Sequence, residues 1–158
     1  MYSKIMVPLD GSELAECVMP HVEAITTGCK ITSVVFVRAV DPIQLPARLP
    51  AQGEFGFQEK DRREMEEQRK KAAEAYLEKI VQKTALEGAV LGYEVLEGKV
   101  AETLAHWAEQ NGADLIVIAS HGRSGISRWV MGSVADRLLR SVCVPVMMIR
   151  APGCVPGI

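Results

Sequence analysis

Five short apolar runs, each followed by a segment of different periodicity, constrain this chain more than any other feature. The runs are Lys4–Leu9 (KIMVPL), Lys30–Ala39 (KITSVVFVRA), Ala89–Leu96 (AVLGYEVL), Asp114–Ala119 (DLIVIA) and Val144–Ile149 (VPVMMI). Their length and their β-branched and apolar content predict strands. Between them apolar residues recur at helical spacing: Ala15, Val18, Met19, Val22 and Ile25; Met65, Ala72, Tyr76 and Ile80; Val100, Leu104, Trp107 and Ala108; Val134, Leu138 and Val142. Alternation of strand and helix, with strands one, two, four and five apolar almost throughout, predicts an α/β fold: an open five-stranded parallel sheet with helices on both faces, Rossmann-like in layout. Pro20 interrupts the first helical pattern and predicts a kink there. With 158 residues, 48% of them apolar, the chain is sized for one domain, expected over residues 1–150, with 151–158 as a loose tail.

Two segments depart from the alternation. Residues 41–57 (DPIQLPARLPAQGEFGF) hold three prolines and two glycines and predict a long variable loop leaving strand two, a lid or a surface excursion. Residues 58–71 (QEKDRREMEEQRKK) mix charges of both signs, the pattern of a solvated helix face, here continuing to about Leu86.

Several functional classes are disfavoured. A net charge of −2 gives no general attraction to nucleic acid or anionic lipid. No apolar run approaches the roughly 20 residues that cross a bilayer, and the opening Met1–Lys4 lacks a secretory pattern, so a cytoplasmic protein is expected. Cys17, Cys29, Cys143 and Cys154 form no Cys-x-x-Cys pair, and His21, His106 and His121 are scattered, which argues against a transition-metal site. P-loop, dinucleotide and nucleophile-elbow motifs are absent.

In a parallel sheet of this kind, ligands bind beyond the carboxyl ends of the strands where strand order reverses. That directs attention to Asp10-Gly11-Ser12-Glu13 after strand one and to Ser120–Gly125 after strand four, followed by Gly132-Ser133. The latter couples a glycine-rich turn to a helix amino end, whose unpaired amides and dipole favour phosphate. His121, Arg123 and Arg128 are candidate phosphate partners. Asp10 is placed to accept a ribose hydroxyl or to meet a phosphate-borne magnesium ion. Bland alternatives are helix capping by Asp10-x-x-Glu13 and by Ser133-x-x-Asp136.

Ile5–Asp10 (IMVPLD) with Gly11-Ser12, the loop Ala119-Ser120-His121-Gly122, a nine-residue gap, Gly132-Ser133-Val134, and the closing Val144-Pro145-Val146 together resemble the universal stress protein family. The resemblance spans the chain except for residues 41–57. Its nucleotide-binding motif is Gly-x-x-Gly, nine residues, then Gly and Ser or Thr; here Ala119 replaces the first glycine. The resemblance implies the adenine nucleotide α-hydrolase-like variety of the fold and ATP binding, with magnesium accompanying the phosphates and at most weak ATPase activity. By position, Pro8 and Asp10 would border adenine and ribose, Ala39 would touch the base, Ile118 and Ala119 would form the opposite wall, and Gly98 would lie near the ribose. Gly122, Gly132, Ser133 and Val134 would wrap the phosphates with Ser120 and His121 nearby. It also implies a homodimer through strand 144–149. The leading functional expectation is a nucleotide-responsive regulatory module in stress response, in which bound ATP alters contacts with an unidentified protein partner. Competing expectations are a same-fold interaction protein with an empty pocket, which the Ala119 methyl favours, and a slow hydrolase using Asp10 and His121.

Overall fold

The computed structural model describes residues 2–43, 59–120 and 132–150. Its strands are β1 (Lys4–Pro8), β2 (Ser33–Val40), β3 (Val90–Glu97), β4 (Leu115–Ala119) and β5 (Val146–Ile149); its helices are α1 (Met19–Cys29), α2 (Glu59–Lys83), α3 (Val100–Gln110) and α4 (Ser133–Ser141). All strand pairs are parallel, in the order β3-β2-β1-β4-β5. The chain therefore builds outward from β1 to β3, returns to β4 on the other side of β1, and reverses direction between them.

Alternation along the strands divides the core in two. Ile5, Val7, Val34, Phe36 and Val117 face the layer of α1 and α2, where Val22, Leu77 and Ile80 cover them. Met6, Val37, Ile116 and Ile118 face the opposite layer, under Leu104, Trp107 and Leu138 of α3 and α4. Both faces are buried, so the strands read as continuous apolar runs.

Most element ends shift by one to three residues from the sequence expectation, and three of the differences have a local cause. Pro20 does not kink a helix. A short 3-10 turn over Ala15–Val18 precedes α1, and Pro20 is the second residue of α1, where a missing N–H costs nothing. β2 begins at Ser33 rather than Lys30, because Lys30 ends α1 with a left-handed backbone. β5 begins at Val146; Pro145 contributes only its carbonyl, which accepts the Ile116 N–H at 2.9 Å.

The ladders end unevenly at the carboxyl edge. β1 pairs with β2 as far as Pro8 and Val37, but with β4 only as far as Met6 and Ile116, while β4 stays paired with β5 through Ala119. Beyond Met6 the two central strands part, and the opening between them is the start of the cavity. The tail at 151–158 lies outside the described residues, as does 44–57 of the variable loop.

Candidate functional site

A cavity of about 610 Å³ opens at this carboxyl edge, a size in the range that holds small-molecule ligands. Nine of the residues singled out from the sequence line it: Pro8, Asp10, Ala39, Ile118, Ala119, Ser120, Gly132, Ser133 and Val134. Gly98 does not. It occupies the turn after β3 with φ +141°, and a Cβ there would stand 2.5 Å from Thr103 Oγ1, so the entry to α3 requires glycine at this position. His121, Gly122, Arg123 and Arg128 lie outside the described residues.

One end of the cavity is the start of α4. Gly132 is its N-cap, no side chain caps it, and the Gly132 N–H donates to the Ser120 carbonyl at 2.9 Å, fastening the helix start to the end of β4. The first intrahelical bond runs from Asp136 N–H to the Gly132 carbonyl. The amides of Ser133, Val134 and Ala135 precede it and have no partner among the described residues. The expected capping by Ser133-x-x-Asp136 is therefore not formed; Asp136 pairs instead with Arg140, 3.1 Å away. Free amides and the helix dipole make this end suited to an anion.

Asp10 is engaged locally. Its Oδ1 accepts the Ser12 hydroxyl at 2.6 Å and the Ser12 N–H at 2.9 Å, and Ser12 Oγ accepts the Ala15 N–H at 3.2 Å. Asp10 thus holds Ser12, whose hydroxyl oxygen meets the first N–H of the 3-10 turn, and the N-cap residue Leu14 makes no side-chain cap. This arrangement fixes the Asp10 carboxylate at the mouth of β1. Among the described residues no group of three or more His, Cys, Asp or Glu side chains could cage a metal ion.

The other end is built by β2, which outruns β1. The Val37 carbonyl accepts the Leu9 N–H at 2.9 Å on the β1 side, whereas the Val40 carbonyl accepts the Gly98 N–H at 3.1 Å on the β3 side. Because these directions alternate along a parallel strand, both the N–H and the C=O of Ala39 point to the β1 side, where β1 has ended. They have no partner among the described residues and open into the cavity.

Sequence reasoning did not identify Arg38, Asp41, Arg69 and Ala72, which also line the cavity. Arg38 stacks over the Tyr76 ring of α2, 5.3 Å from its centroid. Tyr76 donates to Glu16 Oε1 at 3.1 Å, and Lys83 meets the other Glu16 oxygen at 2.7 Å. Burial first, then the Glu16 carboxylate, pushes the Tyr76 phenol well above its usual pKa and keeps it a donor. Asp41 Oδ1 accepts the Val100 N–H at the start of α3 at 3.3 Å, and the Ile43 N–H donates to Glu66 of α2 at 3.1 Å. The chain leaving β2 is thus tied to a helix on either side of the cavity.

The universal stress protein family model matches residues 1–150. A relative from Methanocaldococcus jannaschii, universal stress protein MJ0531, is 29% identical over 96% of this chain and 84% of its own. The structure of MJ0577 from the same organism superposes with a TM-score of 0.78 at 24% identity, covering 97% of this chain and 99% of that one. A universal stress protein family structure from Arabidopsis thaliana with AMP bound gives a TM-score of 0.64 at 16% identity, covering 96% and 93%. With its sheet order, cavity and motif residues all carried by the matched span, this chain belongs to the universal stress protein family.

Proposed function

We propose that the cavity binds an adenine nucleotide, ATP with magnesium, and that the protein is a cytoplasmic nucleotide-responsive module whose output is contact with a protein partner. The observation that carries this reading is the pairing of two unsatisfied main-chain groups with two different tasks. At one end Ala39 offers an N–H and a C=O side by side, the complement of adenine N1 and its 6-amino group. At the other end three amides of α4 face the place of the phosphates. Asp10 stands between them, where a ribose hydroxyl would lie. The AMP-bound Arabidopsis relative supports an adenine nucleotide in this fold. Magnesium would be carried by the phosphates, with its waters, and meet at most a carboxylate or hydroxyl of the protein. The described groups at the phosphate end are amides and hydroxyls, which hold an anion without activating water. Homodimerisation through β5 belongs to the same proposal.

The Ala39 edge also sets base preference. Guanine presents a donor at N1 and an acceptor at O6, so both of its groups would face their like, and each mismatched pair costs about 1–3 kcal/mol. Calorimetric titration in magnesium buffer is therefore expected to give ATP an affinity at least tenfold above that of GTP. Gly132→Glu, which puts a carboxylate at the α4 start, is expected to abolish ATP binding while leaving the fold intact. ATP at 100 times its dissociation constant should add about 2.7 kcal/mol to wild-type unfolding free energy and nothing to the variant. Equal binding of ATP and GTP, or undiminished binding by the variant, would remove the reading.

A further inference from the structure

We infer that Arg69 is the residue that covers the base: its guanidinium stacks on the open face of the purine whose edge meets Ala39, and it does not serve as a phosphate contact. The inference rests on the adenine-nucleotide reading of the cavity and adds to it a specificity residue on α2.

Charge pairing along α2 singles Arg69 out. Six basic residues lie between Glu59 and Ala72. Lys60 pairs with Glu64, Arg62 with Glu59 and Glu66, Arg63 with Glu59, Lys70 with Glu97 and Lys71 with Glu67. Arg69 has no ion-pair or hydrogen-bond partner among the described residues, and of the six it is the one that lines the cavity. A cation whose neighbours are all neutralised, facing a concave site, is available to a ligand.

Its position in the fold decides which part of the ligand. α2 packs on β2 and β3, whereas α4, with the free amides, packs on α3 and follows β4. β2 and β4 are separated by β1, so the two ends of the cavity stand roughly 10 Å apart, two strand spacings. Arg69 belongs to the end that holds Ala39. One turn further along the same stripe of α2 is Ala72, which also lines the cavity; beyond it Tyr76 is already occupied with Arg38. Between Arg69 and Tyr76 the helix thus offers only a methyl group, leaving a slot beside the β2 edge. A planar guanidinium, weakly hydrated and prone to lie on π faces, is the chemistry that closes such a slot over a flat ring.

The test is calorimetric titration of wild type, Arg69→Ala, Arg69→Lys and Ala72→Leu with ATP, AMP and adenosine, with circular dichroism to verify that each variant is folded. Arg69 and Ala72 are exposed, so the fold is expected to survive. Arg69→Ala should weaken all three ligands by a similar factor, about three- to thirtyfold. Arg69→Lys, which restores the charge without the plane, should bind closer to Arg69→Ala than to wild type. Ala72→Leu should weaken all three by filling the slot. A loss confined to ATP and AMP, full recovery with lysine, or unchanged binding by Arg69→Ala alongside weakened Ala72→Leu would overturn the stacking role while leaving the nucleotide site standing. Wild-type protein that binds none of the three would overturn both.

Discussion

At the end of α1 two neighbouring residues are in each other's natural place. Lys30 adopts φ 54°, the left-handed conformation that closes a helix, with its N–H donating to the Thr26 carbonyl. That conformation crowds a Cβ against the following carbonyl, so lysine holds it at a cost that glycine escapes. Gly28 stands two positions earlier inside the helix, where its backbone freedom is lost on folding without any return. A Cβ added there meets nothing within 4 Å. Gly28→Ala and Lys30→Gly are each expected to stabilise the protein by about 0.5–1 kcal/mol, and the pair by close to the sum of the two. Urea unfolding monitored by circular dichroism checks this; a destabilised Lys30→Gly would mean that the lysine side chain supports the turn in a way its backbone angle does not reveal.

At the scale of elements, β1 and β4 share a ladder of only two residue pairs, and a side chain reinforces it at the edge opposite the cavity. The Asp114 carboxylate accepts the Ser3 N–H at 2.9 Å, the Ser3 hydroxyl at 2.8 Å and the Lys4 N–H at 3.1 Å. Partial burial alone would raise its pKa, but these hydrogen bonds to the charged form prevail and hold it below the ordinary value of 3.8. A carboxyl whose folded pKa is depressed contributes its stability fully above its unfolded value and loses it as pH falls through the folded one. Asp114→Asn is accordingly expected to cost about 1 kcal/mol at neutral pH, with the difference from wild type shrinking as the pH drops below about 3.8. A penalty that persisted unchanged into strong acid would show that the carboxylate charge is not what holds the two strands. The strands themselves were legible in the sequence because both faces of the sheet are buried, which makes Ile5–Val7 or Leu115–Ala119 apolar without interruption. The helices were legible from their apolar stripes, apart from the break at Pro20. The nine expected site residues that line the cavity were legible because they lie at or just beyond the carboxyl ends of β1, β2 and β4 or at the start of α4. What was not legible depends on relations between elements. The open edge of Ala39 exists only because β1 stops short of β2. Arg69 sits in a charge-rich run whose pattern speaks only of a solvated helix, and its exposure to the cavity follows from α2 passing beside β2. Gly98, which the resemblance places near the ribose, stands outside the cavity lining in a turn whose backbone only glycine adopts readily.

At the scale of the whole molecule, the strand order leaves β5 at the margin of the sheet, four residues long and beside β4. The Pro145 and Ile149 carbonyls accept the Ile116 and Ser120 amides at 2.9 and 2.7 Å, so the odd-numbered residues of this stretch direct their main chain toward β4. The main-chain groups of Val146 and Met148 consequently point outward, and no described element covers them. An edge of this kind, apolar and without charge or proline along Val146–Ile149, is a template for another strand, and a second copy related by a twofold axis satisfies it with the fewest new contacts to specify. Met147 is 39% exposed, a large apolar side chain that such a pairing would bring close to the partner's equivalent. Light scattering on a sizing column is expected to give wild-type protein a mass of twice the 17.2 kDa chain. Met147→Lys places like charges on both sides of the axis and should shift the species to the single-chain mass. Because the side chain is exposed, the β4 ladder and the α-helical signal should be unchanged. If the variant keeps the doubled mass, the contact lies elsewhere on the molecule. If wild type already runs as one chain, the β5 edge is left to a different protein, and the nucleotide-dependent output would then be sought at that strand.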